Sequence, residues 1–176
     1  MTKFILHGGN TRLDNEDNKN FYNEVTKSAK NILCIYFARE KDKWEESFEN
    51  DKKKTNFKNL ILANEKGIED QIKEADTIWI RGGHTDILKE KLSKINFKKL
   101  IEGKTVAGSS AGVYVLVKYY FSNSKRYIGE GFGILNVKAF CHYTDEERES
   151  LEKLKQHKEK LETIILPDCK YVVVEI

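Results

Sequence analysis

Cysteine is scarce in this chain of 176 residues, and proline is nearly absent. The three cysteines, Cys34, Cys141 and Cys169, are odd in number and lack metal-ligand spacing. Neither a disulfide framework nor a cysteine-built metal centre is expected, and the compartment reads as reducing, hence cytoplasmic. No apolar stretch approaches the ~20 residues that a membrane span needs. The apolar part of the opening MTKFILHGGN is too short for a signal peptide. An excess of one charge sign is also missing: 31 basic against 28 acidic residues leave a net charge of +3. That gives no footing for nucleic acid or an anionic membrane as partner. Neither His7-Gly8-Gly9-Asn10-Thr11 nor Arg81-Gly82-Gly83-His84-Thr85 fits G-x-x-x-x-G-K-[ST] or G-x-G-x-x-G, so nucleotide binding lacks its usual signature.

What is present suits a globular protein. Charged residues make up 34% and apolar residues 39%. A chain of this length buries roughly 70% of its unfolded surface without staples, and residues 1–176 are read as one domain. Apolar runs recur at Phe4–Leu6, Ile32–Ala38, Leu60–Ala63, Thr77–Ile80, Thr105–Ala107, Val137–Cys141, Ile164–Leu166 and Tyr171–Ile176. Several are uniformly apolar and β-branched, as in strands buried on both faces. Between them, residues 18–31 and 84–97 carry apolar side chains at helical spacing. The alternation predicts an α/β fold, a mainly parallel sheet with helices on both sides. The highly charged segment 39–57 reads as an amphipathic helix with a solvated face. Residues 144–162 read as another helix, opened by a Thr144–Glu147 capping box and carrying an exposed His157 in mid-helix.

In such sheets ligands bind beyond the carboxyl ends of the strands. Three apolar runs stop there in small residues: His7-Gly8-Gly9-Asn10-Thr11, Arg81-Gly82-Gly83-His84-Thr85 and Gly108-Ser109-Ser110-Ala111-Gly112. The third fits G-x-S-x-G, a tight strand-to-helix turn that lifts the central Ser110 hydroxyl into the open. A helix over Ala111–Tyr120 is expected to follow, with its positive end at the site. The bland alternative makes Ser110 an N-cap. The amides of Ala111 and Gly83 are the candidate oxyanion donors. A serine hydroxyl needs a base. His142 ends an apolar run at the same edge, whereas His7 and His84 sit in the glycine turns as substrate contacts or loop residues. Asp168 follows the chain's one proline and is the candidate acid that orients the base. Glu130 and Glu175 compete for that role. Cys141 and Cys169 are expected to point away from the site.

Together these residues resemble the peptidase E family, the S51 serine peptidases. Gly82-Gly83-His84-Thr85 matches the family's glycine turn, with histidine in place of asparagine. Gly108-Ser109-Ser110-Ala111-Gly112 matches its nucleophile turn, Phe140-Cys141-His142-Tyr143 its histidine segment, and Leu166-Pro167-Asp168 its acid segment, with Asp in place of Glu. The resemblance implies a three-layer α/β/α sandwich of the class I glutamine amidotransferase-like (flavodoxin-like) kind. It also implies a Ser110–His142–Asp168 triad and hydrolysis of a small peptide through an acyl-enzyme, with no metal or other cofactor. A preference for N-terminal aspartate would need a cation near the glycine turn at Gly82. Arg81 and His84 are the candidates, and a surface salt bridge is the plainer role for Arg81. A serine esterase or amidase, or a binding domain without chemistry, are the alternatives. Tyr114, Tyr119, Tyr120 and Phe121 read as core, with a homodimer surface as the other possibility.

Overall fold

The computed structural model describes residues 1–176. Six strands form the main sheet: β1 (Lys3–His7), β2 (Ile32–Ile35), β3 (Leu60–Leu62), β4 (Thr77–Ile80), β5 (Thr105–Ser109) and β10 (Tyr171–Glu175). Their order is β10-β1-β5-β4-β2-β3, and only β10 runs antiparallel, against β1. Every residue of β2 and β4 is buried, as are all but the first of β1 and β5. Both faces are therefore covered, which the near-continuous apolar runs require. The α/β/α architecture read from the sequence is the one observed.

Four strands form a second sheet that the sequence reading did not separate from the first. They are β6 (Val117–Ser122), β7 (Tyr127–Glu130), β8 (Leu135–Cys141) and β9 (Thr163–Leu166), in the order β7-β6-β8-β9. The expected helix over Ala111–Tyr120 is cut short to make β6. Helix α6 covers only Ala111–Tyr114, and the chain is back in a strand by Val117. Val117 and the aromatics behind it are better strand formers than helix formers, and they pair beside β8 from Val117 onward. The aromatic cluster is core, as expected: Tyr114, Tyr119, Tyr120 and Phe121 are all buried.

The remaining helices are α1 (Glu16–Thr26), α2 (Trp44–Thr55), α3 (Ile68–Glu74), α4 (Thr85–Leu92), α5 (Phe97–Leu100) and α7 (Arg148–Gln156). Helix α1 is capped by Asn15, whose side chain accepts from the Asn18 amide. No capping box forms at Thr144: a 3₁₀ turn intervenes and its side chain makes no cap bond. Helix α7 is also shorter than expected and stops at His157, which lies at its end with its ring edge-on to Tyr119. What stops it is Lys138 on β8. This lysine is fully buried, and its ammonium donates to the carbonyls of Lys155 and His157 at 2.8 Å each.

A small apolar cluster of Tyr119, Phe121, Phe140, Leu151 and Leu154 fastens α7 to β6 and β8. Phe140 stands two residues before His142 and has no exposure. Phe140→Ala should lower unfolding free energy by about 3–5 kcal/mol. Ile165→Ala, on a side chain 38% exposed, should cost far less. Urea unfolding of the two variants checks the difference.

Candidate active site

Strands β1, β2, β4 and β5 run parallel, so their carboxyl ends lie along one edge of the main sheet. A cavity of about 990 Å³ opens there. Of its 21 lining residues Ala38 is the one hydrophobic side chain. Such a cavity suits a polar, hydrogen-bonding ligand better than an apolar one.

Ser110 sits at the end of β5 with φ 52° and ψ −110°, a backbone conformation that side chains rarely adopt. The flanking glycines make the turn sterically possible. A Cβ on Gly112 would collide with the Ile80 carbonyl, and one on Gly108 would press on Gly112. The Ser110 side chain caps no helix. Instead its Oγ lies 2.9 Å from His142 Nε2. On the other side of the ring, His142 Nδ1 lies 2.6 Å from Asp168 Oδ1. A carboxylate only accepts, so Nδ1 carries the proton and Nε2 presents its lone pair to the serine hydroxyl. The aspartate is one methylene shorter than the family's glutamate, yet it reaches the ring. Asn10 Nδ2 donates to its other oxygen at 3.4 Å.

The competing acids are elsewhere. Glu130 pairs with Lys158, and Glu175 lies in β10 opposite Lys3. Cys141 and Cys169 are buried and do not line the cavity. Burial pushes the Cys141 thiol well above its ordinary value, so it stays protonated beside the serine turn.

Across the cavity, Gly82 packs against the serine turn, where a Cβ would stand 3.3 Å from Ser110 Cβ. Gly83 follows with φ 153°, and a Cβ there would strike the Ala38 backbone. The Gly83 amide finds no acceptor within the protein. Ala111 is buried and opens a helix of only four residues, so any electrostatic help there comes from its amide and not from a helix dipole. His84 is exposed on the rim.

Arg81 is not at the surface. It is 3% exposed, stacks 4.3 Å over Trp79, and grips Asp51 through Nε at 2.8 Å and Nη2 at 2.9 Å. Burial is the largest single effect and opposes the charge, but Asp51 together with Tyr36, Tyr22 and Cys34 outweighs it, and the guanidinium stays charged. Tyr36 OH and Thr11 Oγ1 complete this buried group. Asp51 comes from α2, the segment read as a solvated helix. One polar stripe of α2, Ser47, Asn50, Asp51 and Lys54, faces the cavity instead. The missed signal is the stripe's composition: polar side chains at i, i+3, i+4 and i+7, three of them short, whereas Trp44 and Phe48 do not line the cavity. Arg39 is the other residue overlooked. Its Nε donates to the Gly82 carbonyl at 2.9 Å and its Nη1 to Ser47 Oγ at 2.6 Å.

The Peptidase family S51 model matches residues 4–175. The chain belongs to peptidase family S51. Solved structures agree in fold. A peptidase from an acI-B1 Actinobacterium superposes with TM-score 0.74 at 18% identity, over 99% of this chain and 84% of that one. A putative peptidase E protein from Listeria monocytogenes EGD-e gives 0.63 at 16% identity, over 100% and 99%. No curated protein matches significantly. No helix of this peptidase is long and apolar enough to cross a membrane. No group of three or more His, Cys, Asp or Glu residues is arranged to hold a metal ion.

His7 has no exposure and lies outside the cavity, so it is not a substrate contact. Burial lowers its pKa to about 4. The unfolded value is near 6.5. The folded state therefore resists a proton that the unfolded chain accepts, and stability is complete above pH 6.5 and lost as pH falls toward 4. The loss at pH 4.5 is about 2–3 kcal/mol. Urea midpoints of the parent and His7→Asn at pH 7.5 and 4.5 should show a smaller acid loss in the variant.

Proposed function

We propose that this peptidase cleaves short peptides by serine acyl transfer. The observation that carries the reading is the unbroken chain Asp168–His142–Ser110, with contacts of 2.6 and 2.9 Å. His142 Nε2 takes the Ser110 proton as Oγ bonds to the peptide carbonyl carbon. The amides of Gly83 and Ala111 receive the negative oxygen. The protonated imidazole, steadied by Asp168, passes its proton to the leaving amine as the C–N bond breaks. A water molecule then gives a proton to His142 and its oxygen to the acyl carbon, releasing the acid and restoring Ser110. Buried free cysteines suit a reducing cytoplasm.

A preference for N-terminal aspartate remains part of the proposal, but its cation changes. Asp51 already fills the Arg81 fork. Arg39 lines the cavity beside Gly82. Beyond the Arg81–Asp51 and His142–Asp168 pairs, the cations Arg12, Arg39, Lys43 and Lys54 face two acids, Glu40 and Glu46. The wall is net positive, which favours an acidic side chain.

A fluorophosphonate probe should label the protein on Ser110, and Ser110→Ala should abolish both labelling and dipeptide hydrolysis. Asp168→Asn should lower kcat by roughly 10⁴-fold. An unlabelled but folded protein would overturn the serine mechanism. If ester substrates turn over and dipeptides do not, the peptide reading fails while the nucleophile stands. Arg39→Met should cut the ratio of kcat/KM for Asp- over Ala-dipeptides about 10–100-fold, the worth of a hydrogen bond to a charged group. An unchanged ratio removes Arg39 from recognition.

A further inference from the structure

Besides Asn10 (φ 59°) in the turn after β1, three residues at the site hold a positive φ without being glycine: Ser110 (φ 52°), His142 (φ 56°) and Cys169 (φ 65°), the last adjoining Asp168. Side chains disfavour this region, so each needs an external constraint. The constraint is one short segment. The Ser110 amide donates to the His7 carbonyl, the His142 amide to that of Gly8, and the Cys169 amide to that of Gly9, each at 3.0 Å. Three successive carbonyls thus hold the three strand ends that bear the proposed triad. The turn itself fits closely against them. A Cβ on Gly8 would strike the Pro167 carbonyl, and one on Gly9 would strike the His142 ring.

The direction of those carbonyls depends on two buried side chains. The Gly9 amide donates to His7 Nδ1 at 3.0 Å, so Nδ1 is an acceptor and Nε2 bears the proton. Nε2–H donates to Asn18 Oδ1 at 2.9 Å. Asn18 Nδ2 then donates back to the carbonyls of Leu13 at 2.8 Å and Asn10 at 3.2 Å. His7 is 0% and Asn18 1% exposed, and neither touches the cavity. Phe21 packs on the His7 ring at 4.3 Å, so an apolar side chain would fill the same place. Two polar side chains buried there against an aromatic ring lose hydration, and the turn's amide and carbonyls are what they bond to in exchange.

We propose that His7 and Asn18 are positioning residues for hydrolysis, locking the 7–10 turn in the shape that aligns Ser110, His142 and Asp168. The proposal rests on the serine mechanism above. Asparagine at position 7 can offer an oxygen where Nδ1 stood, and so can accept from Gly9. Phenylalanine keeps the ring and loses every hydrogen bond.

The test is the rate of fluorophosphonate labelling, measured beside thermal unfolding. Labelling of His7→Phe should slow about 10²-fold, the scale of a misplacement of roughly 1 Å at a reacting centre. His7→Asn should recover most of that rate even where its melting temperature is no higher. A parent rate in folded His7→Phe overturns the proposal, as does equal loss in both variants in step with their melting temperatures. Should His7→Phe not fold, Asn18→Asp takes its place. It still accepts from His7 but gives up both donors to the turn, and a parent labelling rate there is equally fatal. A folded parent protein that is never labelled fails earlier, at the serine mechanism itself.

Discussion

The site depends on one mechanical fact: peptide segments distant in sequence, from two different sheets, end beside one another and are tied together there by backbone hydrogen bonds. The carbonyls of His7, Gly8 and Gly9 are the knot. Parallel strands bring their carboxyl ends together, but their spacing alone leaves side chains free to miss one another by ångströms. The proposed acyl transfer tolerates little of that, since proton transfer needs its partners within hydrogen-bond reach. The four-stranded sheet makes the requirement stricter. His142 follows β8 of that sheet, whereas Ser110 follows β5 of the other. A bond from the His142 amide to Gly8 is what ties one sheet's end to the other's turn.

The cavity joins this alignment to electrostatics. Its floor holds a buried Arg81–Asp51 pair with Tyr36 and Thr11 around it. A pair so enclosed gains little net stability, because desolvation offsets the attraction. Its geometric effect is clearer: it joins α2, β4 and the turn after β1 at a single point below the glycine pair Gly82-Gly83. Arg39 grips the same glycine turn from above through the Gly82 carbonyl. The proposed oxyanion turn is thus held on two sides, and preorganised donors are effective because they need not reorganise as charge develops.

Much of this was legible in the residues. Uniformly apolar runs such as Ile32–Ile35 and Thr77–Ile80 announce strands covered on both faces, and short small-residue turns after them mark the functional edge. G-x-S-x-G, one histidine ending a run and one Pro-Asp turn mark the three groups that come together, although Glu130 and Glu175 compete with Asp168 until the family resemblance favours it. The division into two sheets was not legible, because pairing partners are a tertiary matter and β6 and β8 read like any other strands. Nor was the short α6, where a helical start gives way to β-branched residues within four positions. Asp51 and Arg81 hid for a different reason. Charge predicts exposure, and although the polar stripe of α2 marks the face that Asp51 occupies, nothing local pairs it with an arginine 30 residues away.

His7 illustrates the limit further. In the sequence it is one more histidine in a glycine turn, suited to touch a substrate. In the fold it lies beneath the turn, neutral, with one ring nitrogen accepting and the other donating. Imidazole is the side chain that supplies both roles across one small ring without carrying charge. The same chemistry serves His142 in the open and His7 in the interior, and burial separates the tasks. Exposure lets His142 meet solvent and substrate, as its proposed role of proton carrier requires. Enclosure keeps protons away from His7, whose hydrogen bonds hold their direction only while Nδ1 has a lone pair to offer. A single residue type thus provides the moving part and the fixed part of the proposed machinery, and the difference between them is set by where β1 and β8 end.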